Sequence, residues 1–510
     1  MRLAACGVRL AVVAMAMGGG ARAAEVRFDG AYQLRLAFNS NLTLDDAATR
    51  LGQTGWAEHR LRLTPKIVEA EKIEIQAQFD VVSGLIAGDL APGFGQFGWT
   101  ERAERNGVRA RGFDFRYAFA ALRLPVGILQ IGQMPNHWGM GLVSNNGEFM
   151  DSLDFGDLRF GDIVDGFLFG TKPFAFLGPR SELGNQIVMA VAGQIVYRDR
   201  FASLVVRDGG GLAWGDLALQ AVGVLRWEPS ESTRVGFYAA RRVQSYAADA
   251  GNLHVWVFDA HARTEIQLPS IASSIRLEIE GAEVYGGTSH AANLNSLGEV
   301  RVAQQGLAAR ATFNRGSFEG ELEVGYASGD ENPFDGAATG FISSRDYKVG
   351  LVLWDEVMLF QTQNGARRLG DPNLVGRPPP GVDLFPTQGS ITNALYLNPR
   401  LRWRQPLGSG SLRAVAGLLW TRAPKPVVDP YQSFLASAPR NAFGMPGGQS
   451  YGTELDLALS WRVPLSESRK VGLDLGAQWG VLLPGDVFTR ADGSIMPAAH
   501  AFKLRTTLFF

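Results

Sequence analysis

The feature that most restricts this chain is a strict two-residue alternation that starts near the amino terminus and keeps returning. Val26, Phe28, Gly30, Tyr32, Leu34, Leu36 and Phe38 fall on one side of the repeat. Arg27, Asp29, Ala31, Gln33, Arg35, Ala37 and Asn39 fall on the other. Successive side chains of an extended strand point to opposite faces, so the segment predicts a strand with one apolar and one polar face. Ile73, Ile75, Ala77, Phe79 and Val81 repeat the pattern against Glu74, Gln76, Gln78 and Asp80. Phe113, Phe115, Tyr117 and Phe119 repeat it against Asp114, Arg116 and Ala118. Three later segments follow suit, with Glu319, Glu321 and Glu323, then Glu454 and Asp456, then Asp474, on their polar faces.

A soluble sandwich and a membrane barrel both show this alternation, and four observations favour the barrel. The first run covers residues 26–39, whereas soluble strands usually hold about 5–6 residues and tilted membrane strands about 9–11. Aromatic residues gather at strand ends, including Phe28, Phe38, Trp56, Trp227, Trp403, Trp420 and Trp461, as an interfacial girdle requires. Tight connections at Pro125-Val126-Gly127, Arg315-Gly316 and Pro406 to Gly410 alternate with long ones at 82–112, 135–164, 198–216, 364–390 and 423–449. Finally, Phe502, Leu504, Leu508 and Phe510 share one face of a last strand, with Lys503 and Arg505 on the other. That ending resembles the assembly signal of bacterial outer-membrane proteins, which implies the barrel-assembly machinery as a partner.

The fold expected is all-β: a transmembrane antiparallel up-and-down barrel with short periplasmic turns and long extracellular loops. Nineteen alternating segments can be drawn, an odd number where an even one is expected. A turn at Asp355-Glu356 that adds a strand at 357–363, after one at 347–354, makes 20. Dropping the weak segment at 165–172 makes 18. The expectation is therefore 18–20 strands. So wide a ring leaves a lumen that side chains alone do not fill, so loops fold inward or water enters.

Residues 1–23 read as a secretory signal peptide: Arg2 and Arg9, an apolar run from Leu10 to Met17, and a small-x-small site at Ala21-Arg22-Ala23. Residues 24–510 then form one barrel domain, with no plug before it and no periplasmic domain after it. Cys6 is the one cysteine and falls in that leader, so the mature chain has no disulfide and no thiolate metal site. The net formal charge of −1 comes from 49 basic and 50 acidic residues, a balance that gives no argument for nucleic acid.

The most distinctive string is Gly132-Gln133-Met134-Pro135-Asn136-His137-Trp138-Gly139-Met140-Gly141. It reads as a specific site folded into the pore or as a turn-rich extracellular cap with an aromatic anchor, and its composition favours the cap. With Leu129-Gln130-Ile131 before it, the string resembles a signature of porin-like outer-membrane barrels from myxobacteria and their relatives. Ser344-Arg345-Asp346-Tyr347-Lys348-Val349-Gly350-Leu351 is similar to a second such segment. The resemblance implies an outer-membrane barrel with no assigned substrate. Downstream, Asp151, Asp154, Asp157, Asp162 and Asp165 lie on a Gly-rich loop that also holds Arg159. Such carboxylates ligate Ca²⁺ or line a constriction, but their spacing does not match a calcium loop, so no metal and no cofactor are assigned. Arg102, Arg105, Arg109 and Arg111 lead into Arg116, facing either the pore or lipopolysaccharide phosphates.

No catalytic arrangement emerges. His137 and Ser144 are seven apart, which on a strand places them on opposite sides. The function expected is a channel for passive or weakly selective diffusion of small hydrophilic solutes through the outer membrane. Its lumen is lined by Arg27, Asp29, Arg35, Glu74, Asp80, Asp114, Arg116, Glu278, Glu319, Glu321, Asp456 and Asp474. A loop constriction built from His137, Trp138, Asp151, Asp154, Asp157 and Arg159 narrows it. Outer-membrane lipid and lipopolysaccharide surround it, and assembly into a homo-oligomer is left open. The rivals are a dedicated polysaccharide transporter and a non-conducting adhesion barrel that works through its loops.

Overall fold

The computed structural model describes residues 24–510 apart from 41, 50–54, 70–71, 89–112, 149–154, 156–160, 179–181, 203–211, 213–214, 248–250, 290–293, 296–297, 372, 377, 379–386, 388 and 467–470. The proposed leader and Arg102 to Arg111 lie outside the described residues.

Eighteen antiparallel strands form a closed barrel. In chain order they are β1 Glu25–Asn39, β2 Gly55–Glu69, β3 Ile73–Gly88, β4 Asp114–Leu124, β5 Gly127–Pro135 and β6 Ile163–Thr171. Then come β7 Ile187–Arg198, β8 Leu217–Trp227, β9 Arg234–Ser245, β10 Asn252–Leu268, β11 Ser273–Thr288 and β12 Val300–Arg315. The ring is completed by β13 Phe318–Ala327, β14 Ala394–Leu407, β15 Gly410–Arg422, β16 Ser450–Pro464, β17 Gly472–Pro484 and β18 Ala499–Phe509. Each strand pairs with the next, and β18 returns to β1 with Leu504 opposite Leu36 and Phe502 opposite Phe38. At this seam Gly30 and Phe510 exchange backbone hydrogen bonds of 2.8 and 3.0 Å.

The alternation sets which face is which. On β16, Leu455, Leu457, Leu459 and Trp461 are 40–50% exposed, while Glu454, Asp456 and Ser460 between them are at most 2% exposed. Apolar side chains therefore cover the outside and polar ones the inside. In water that exterior would be a contiguous apolar patch far larger than soluble proteins tolerate; against hydrocarbon it is the favourable face. No helix among the described residues is long and apolar enough to cross a membrane. Short turns lie at the end that holds both termini, apart from the longer connection at 172–186. There Gly316 (φ 58°) and Gly408 (φ 61°) adopt left-handed backbone that a Cβ would disfavour. Long connections lie at the other end.

Three expectations change. Residues 347–354 are not a strand, and 357–363 are not its partner. Residues 347–352 are irregular, and they run into a π-type turn, Leu353–Met358, and a helix, Leu359–Leu369. Every side chain from Leu351 to Phe360 is buried, so the period-2 pattern there reflects an interior segment covered on all sides. The segment expected at 165–172 is kept as β6, which settles the count at 18. On β4, the register shifts opposite Gln78 and Phe79. Phe115 stays outside at 42% exposure, but Arg116 and Tyr117 both turn inward at 1%, because a bulge reverses the faces beyond it. Tyr117 therefore does not share the outer face of Phe115.

Placing Arg at Leu457, midway along β16 on the outer face, should destabilise the barrel in phospholipid vesicles by about 2–4 kcal/mol. Unchanged urea unfolding of L457R would contradict a lipid-facing exterior.

Candidate functional site

Backbone that enters a barrel brings peptide N–H groups that must find acceptors. Two inner-wall glutamates supply them. The Glu280 carboxylate, on β11, accepts the N–H groups of Met140 and of Leu142, the latter at 3.1 Å. Gly139 (φ 57°) lies directly against that carboxylate, and the close approach and left-handed backbone together explain the glycine. Trp138 donates its indole N–H to Asp259 on β10 at 2.8 Å, and its ring packs on Tyr238 with centroids 5.5 Å apart. On the opposite side, the Glu454 carboxylate accepts three consecutive N–H groups, from Leu351, Val352 and Leu353, at 2.6, 2.8 and 2.7 Å. Tyr347 and Tyr396 both donate to Glu323, at 2.7 and 2.8 Å.

The two inward segments meet. Ser344 N–H donates to the Leu142 carbonyl at 2.8 Å. Gly161 N–H donates to Asp346 at 2.6 Å, and the Asn145 amide to the Asp346 carbonyl at 3.2 Å. The second segment is also held from the wall by Lys503 to Glu356, 2.8 Å, and from the loop after β1 by Asp45 to Arg368, 2.9 Å. Hydrogen bonds from Asn364 and Thr49, with Arg368, outweigh burial and hold the Asp45 carboxyl below its usual range. Of the string at 132–141, residues 132–135 end β5 and residues 136–141 turn into the lumen instead of forming an extracellular cap, because they close around Glu280. Burial holds the His137 imidazole below its usual pKa. Asp151, Asp154, Asp157 and Arg159 lie outside the described residues. Among the described residues no group of His, Cys, Asp and Glu is arranged to hold a metal ion.

Most of the wall charges read from the sequence sit beside a charge of opposite sign. Arg35 pairs with Glu58, Glu74 with Lys66 (2.5 Å), Asp80 with Arg62 (2.8 Å) and Asp114 with Arg198 (3.4 Å). Glu278 meets His261 (3.0 Å), Glu319 meets Arg402 (2.5 Å), Glu321 meets Arg400 and Arg402 (3.1 and 2.9 Å), and Asp474 meets Arg413. Arg27 pairs with its strand neighbour Glu25 (2.8 Å) at the exposed lower end of β1, where Asp29 is exposed as well. Arg116 donates to Gln78 at 2.7 Å, and Asp456 is buried two residues from Glu454. The partners Glu58, Arg62, Lys66, Arg198, Arg400, Arg402 and Arg413 were not singled out from the sequence. Phe502 packs on Phe38, with ring centroids 6.3 Å apart, Leu508 pairs with Tyr32, and Phe510 closes on Gly30. All three sit at the seam.

Above the junction lies a cavity of about 360 Å³, bounded by Val257, Val284, Arg242, Ser144, Ser344 and Phe341 among others.

With this geometry in hand, the chain can be set beside known proteins. No protein-family model and no curated protein matches the sequence. Solved structures do. Pseudomonas aeruginosa OccK9 (OpdG) is similar over 95% of this chain and 98% of its own, at 12% identity and a TM-score of 0.51. Pseudomonas aeruginosa OccK1 (OpdK) matches over 95% and 99%, at 12% identity and 0.50. Acinetobacter baumannii OccAB1 matches over 95% and 96%, at 9% identity and 0.50. The fold is the one shared by these outer-membrane porins.

Two outcomes follow. E454A leaves three buried N–H groups without their acceptor, at roughly 1–3 kcal/mol each before relaxation. The 347–358 segment should detach, which raises single-channel conductance and current noise; currents identical to wild type would contradict the anchoring. Asp429 caps the helix Pro430–Ala436 by accepting the Gln432 N–H at 2.8 Å, and burial pushes its carboxyl up to about 6 from 3.8. A raised folded pKa means that the folded loop binds a proton the unfolded loop lacks between about pH 4 and 6. Stability therefore falls as pH rises through that window. Hydrogen exchange of residues 424–449, corrected for intrinsic rates, should show more opening at pH 7.5 than at pH 5, and D429N should flatten the difference.

Proposed function

We propose that this chain is an outer-membrane channel through which small hydrophilic solutes diffuse passively, with weak selectivity for charge. The observation that carries the reading is the inner wall. It is polar along a closed barrel whose outside is apolar, and many of its charges are matched by opposite charges on neighbouring strands. A field built from pairs falls off quickly with distance, so neither sign of ion is strongly favoured. Arg35, Glu74, Asp80, Asp114, Arg116, Glu278, Glu319, Glu321, Asp456 and Asp474 line the path, with Arg27 and Asp29 at its periplasmic mouth. His137 and Trp138 stand on the segment that narrows it. The seam residues Phe502, Leu508 and Phe510 act as the assembly signal. Outer-membrane lipid and lipopolysaccharide cover the exterior, and no catalytic role is assigned.

Purified protein in planar bilayers should give discrete open levels, with a reversal potential near zero in a KCl gradient and block by small sugars. Strong preference for one ion overturns the weak selectivity. A folded barrel that passes no current favours the adhesion reading.

A further inference from the structure

The outer face is apolar along most of its height, but on β9 to β12 it turns polar toward the end that lies away from the termini. The strand register sets out three rows there. Arg241 on β9 lies opposite Trp256 on β10, Trp256 opposite Tyr285 on β11, and Tyr285 opposite Ala303 on β12. Two residues lower on each strand come Ala239, Phe258, Glu283 and Gln305; two residues higher come Val243, His254, Gly287 and Arg301. These side chains point away from the lumen, since Ala240, Arg242, Val255, Ala282 and Val302 beside them in the chain are buried. The Arg241 guanidinium lies over the Trp256 ring, 5.6 Å from its centroid, and Glu299 is taken up by His254 at 3.2 Å. Among the described residues neither Arg241 nor Arg301 has a carboxylate partner. Three strand spacings, about 14 Å, separate the two arginines across the sheet.

Directly below this patch the outer surface holds a groove of about 730 Å³. Gly223, Ala239, Ala260 and Gly281 line it, and Phe237 and Phe258 stand beside them. The backbone does not demand the two glycines. Neither has a left-handed φ, a Cβ on Gly223 would meet nothing within 4 Å, and one on Gly281 would meet Leu307 at an ordinary 3.4 Å. Lipid-facing strands normally carry large apolar side chains. Here they are missing where nothing in the fold forbids them, and the gap opens under the arginines.

We infer that this sector binds one molecule of lipopolysaccharide through its lipid anchor, an acylated disaccharide with a phosphate at each end. Arg241 and Arg301 take the two phosphates, and the pair of sugar rings spans the distance between them. Glu283 and Gln305 meet the sugar hydroxyls, and an acyl chain lies in the groove. Charge selects this occupant, because the unpaired groups of the patch are guanidinium ions, which hold phosphate by charge-assisted hydrogen bonds. A glycerophospholipid such as phosphatidylglycerol brings one phosphate and no sugar ring, so it fills only part of the site. The inference rests on the outer-membrane reading above and deepens it by giving the exterior a specific lipid.

Native mass spectrometry of the delipidated barrel, titrated with diphosphoryl lipid A, monophosphoryl lipid A and phosphatidylglycerol, tests it. One diphosphoryl lipid A should bind per barrel, ahead of the monophosphoryl form, and R241Q/R301Q should weaken it by roughly tenfold or more. G223L/A239L, which fills the groove and leaves the charges in place, should weaken it as well; A239V replaces that variant if it does not fold. Phosphatidylglycerol that binds as tightly as lipid A overturns the site, and so does lipid A binding that the variants leave untouched. A barrel that conducts but shows no preference for lipid A overturns the site alone. One that keeps the preference and passes no current overturns the channel reading alone.

Discussion

Closing eighteen strands into a ring solves one problem and creates another. The ring has no unpaired edge, but it encloses a hole wider than its own side chains fill. Whatever narrows that hole must carry peptide groups into an enclosed space and leave none of them without a partner. Glu280 and Glu454 meet the requirement with single carboxylates that accept two and three backbone N–H groups. The exchange is mutual, since a carboxylate in so confined a place needs donors as much as the amides need acceptors. The two segments then touch through Ser344 and Leu142, so each anchor also steadies the segment held by the other.

The barrel itself was legible because alternation is a local property. Leu455, Leu457 and Leu459 declare their side of the sheet whichever strands lie beside them. Interior segments carry no comparable mark. From Tyr347 to Leu353 a period of two can be traced, yet Leu351, Val352 and Leu353 are all buried, and the only hint was an apolar stretch that continues through Trp354, Met358 and Phe360. The turn-rich string around Trp138 had the composition of a surface cap. What drew it inward was a carboxylate distant in sequence, on a strand that the string does not pair with.

Charges show the same division. Sign and face could be read for Glu74, Asp80, Asp114 and Glu321, but their partners could not, because a partner is set by register between strands. The bulge near Arg116 shows how sensitive this is: one extra residue brings both Arg116 and Tyr117 to the inner side, where the tyrosine hydroxyl donates to Glu148 at 2.7 Å. A lumen that looks densely charged in one dimension has many of its charges matched across neighbouring strands in three.

The seam between β1 and β18 joins the most widely separated strands of the fold. Loop-closure entropy is greatest for that union. Until it forms, β1 and β18 each present a naked row of amides and carbonyls, ready to zip onto any passing strand. Loss of β18 would therefore leave a permanently open sheet with two adhesive borders, and aggregation rather than a smaller pore is the fate of such a molecule.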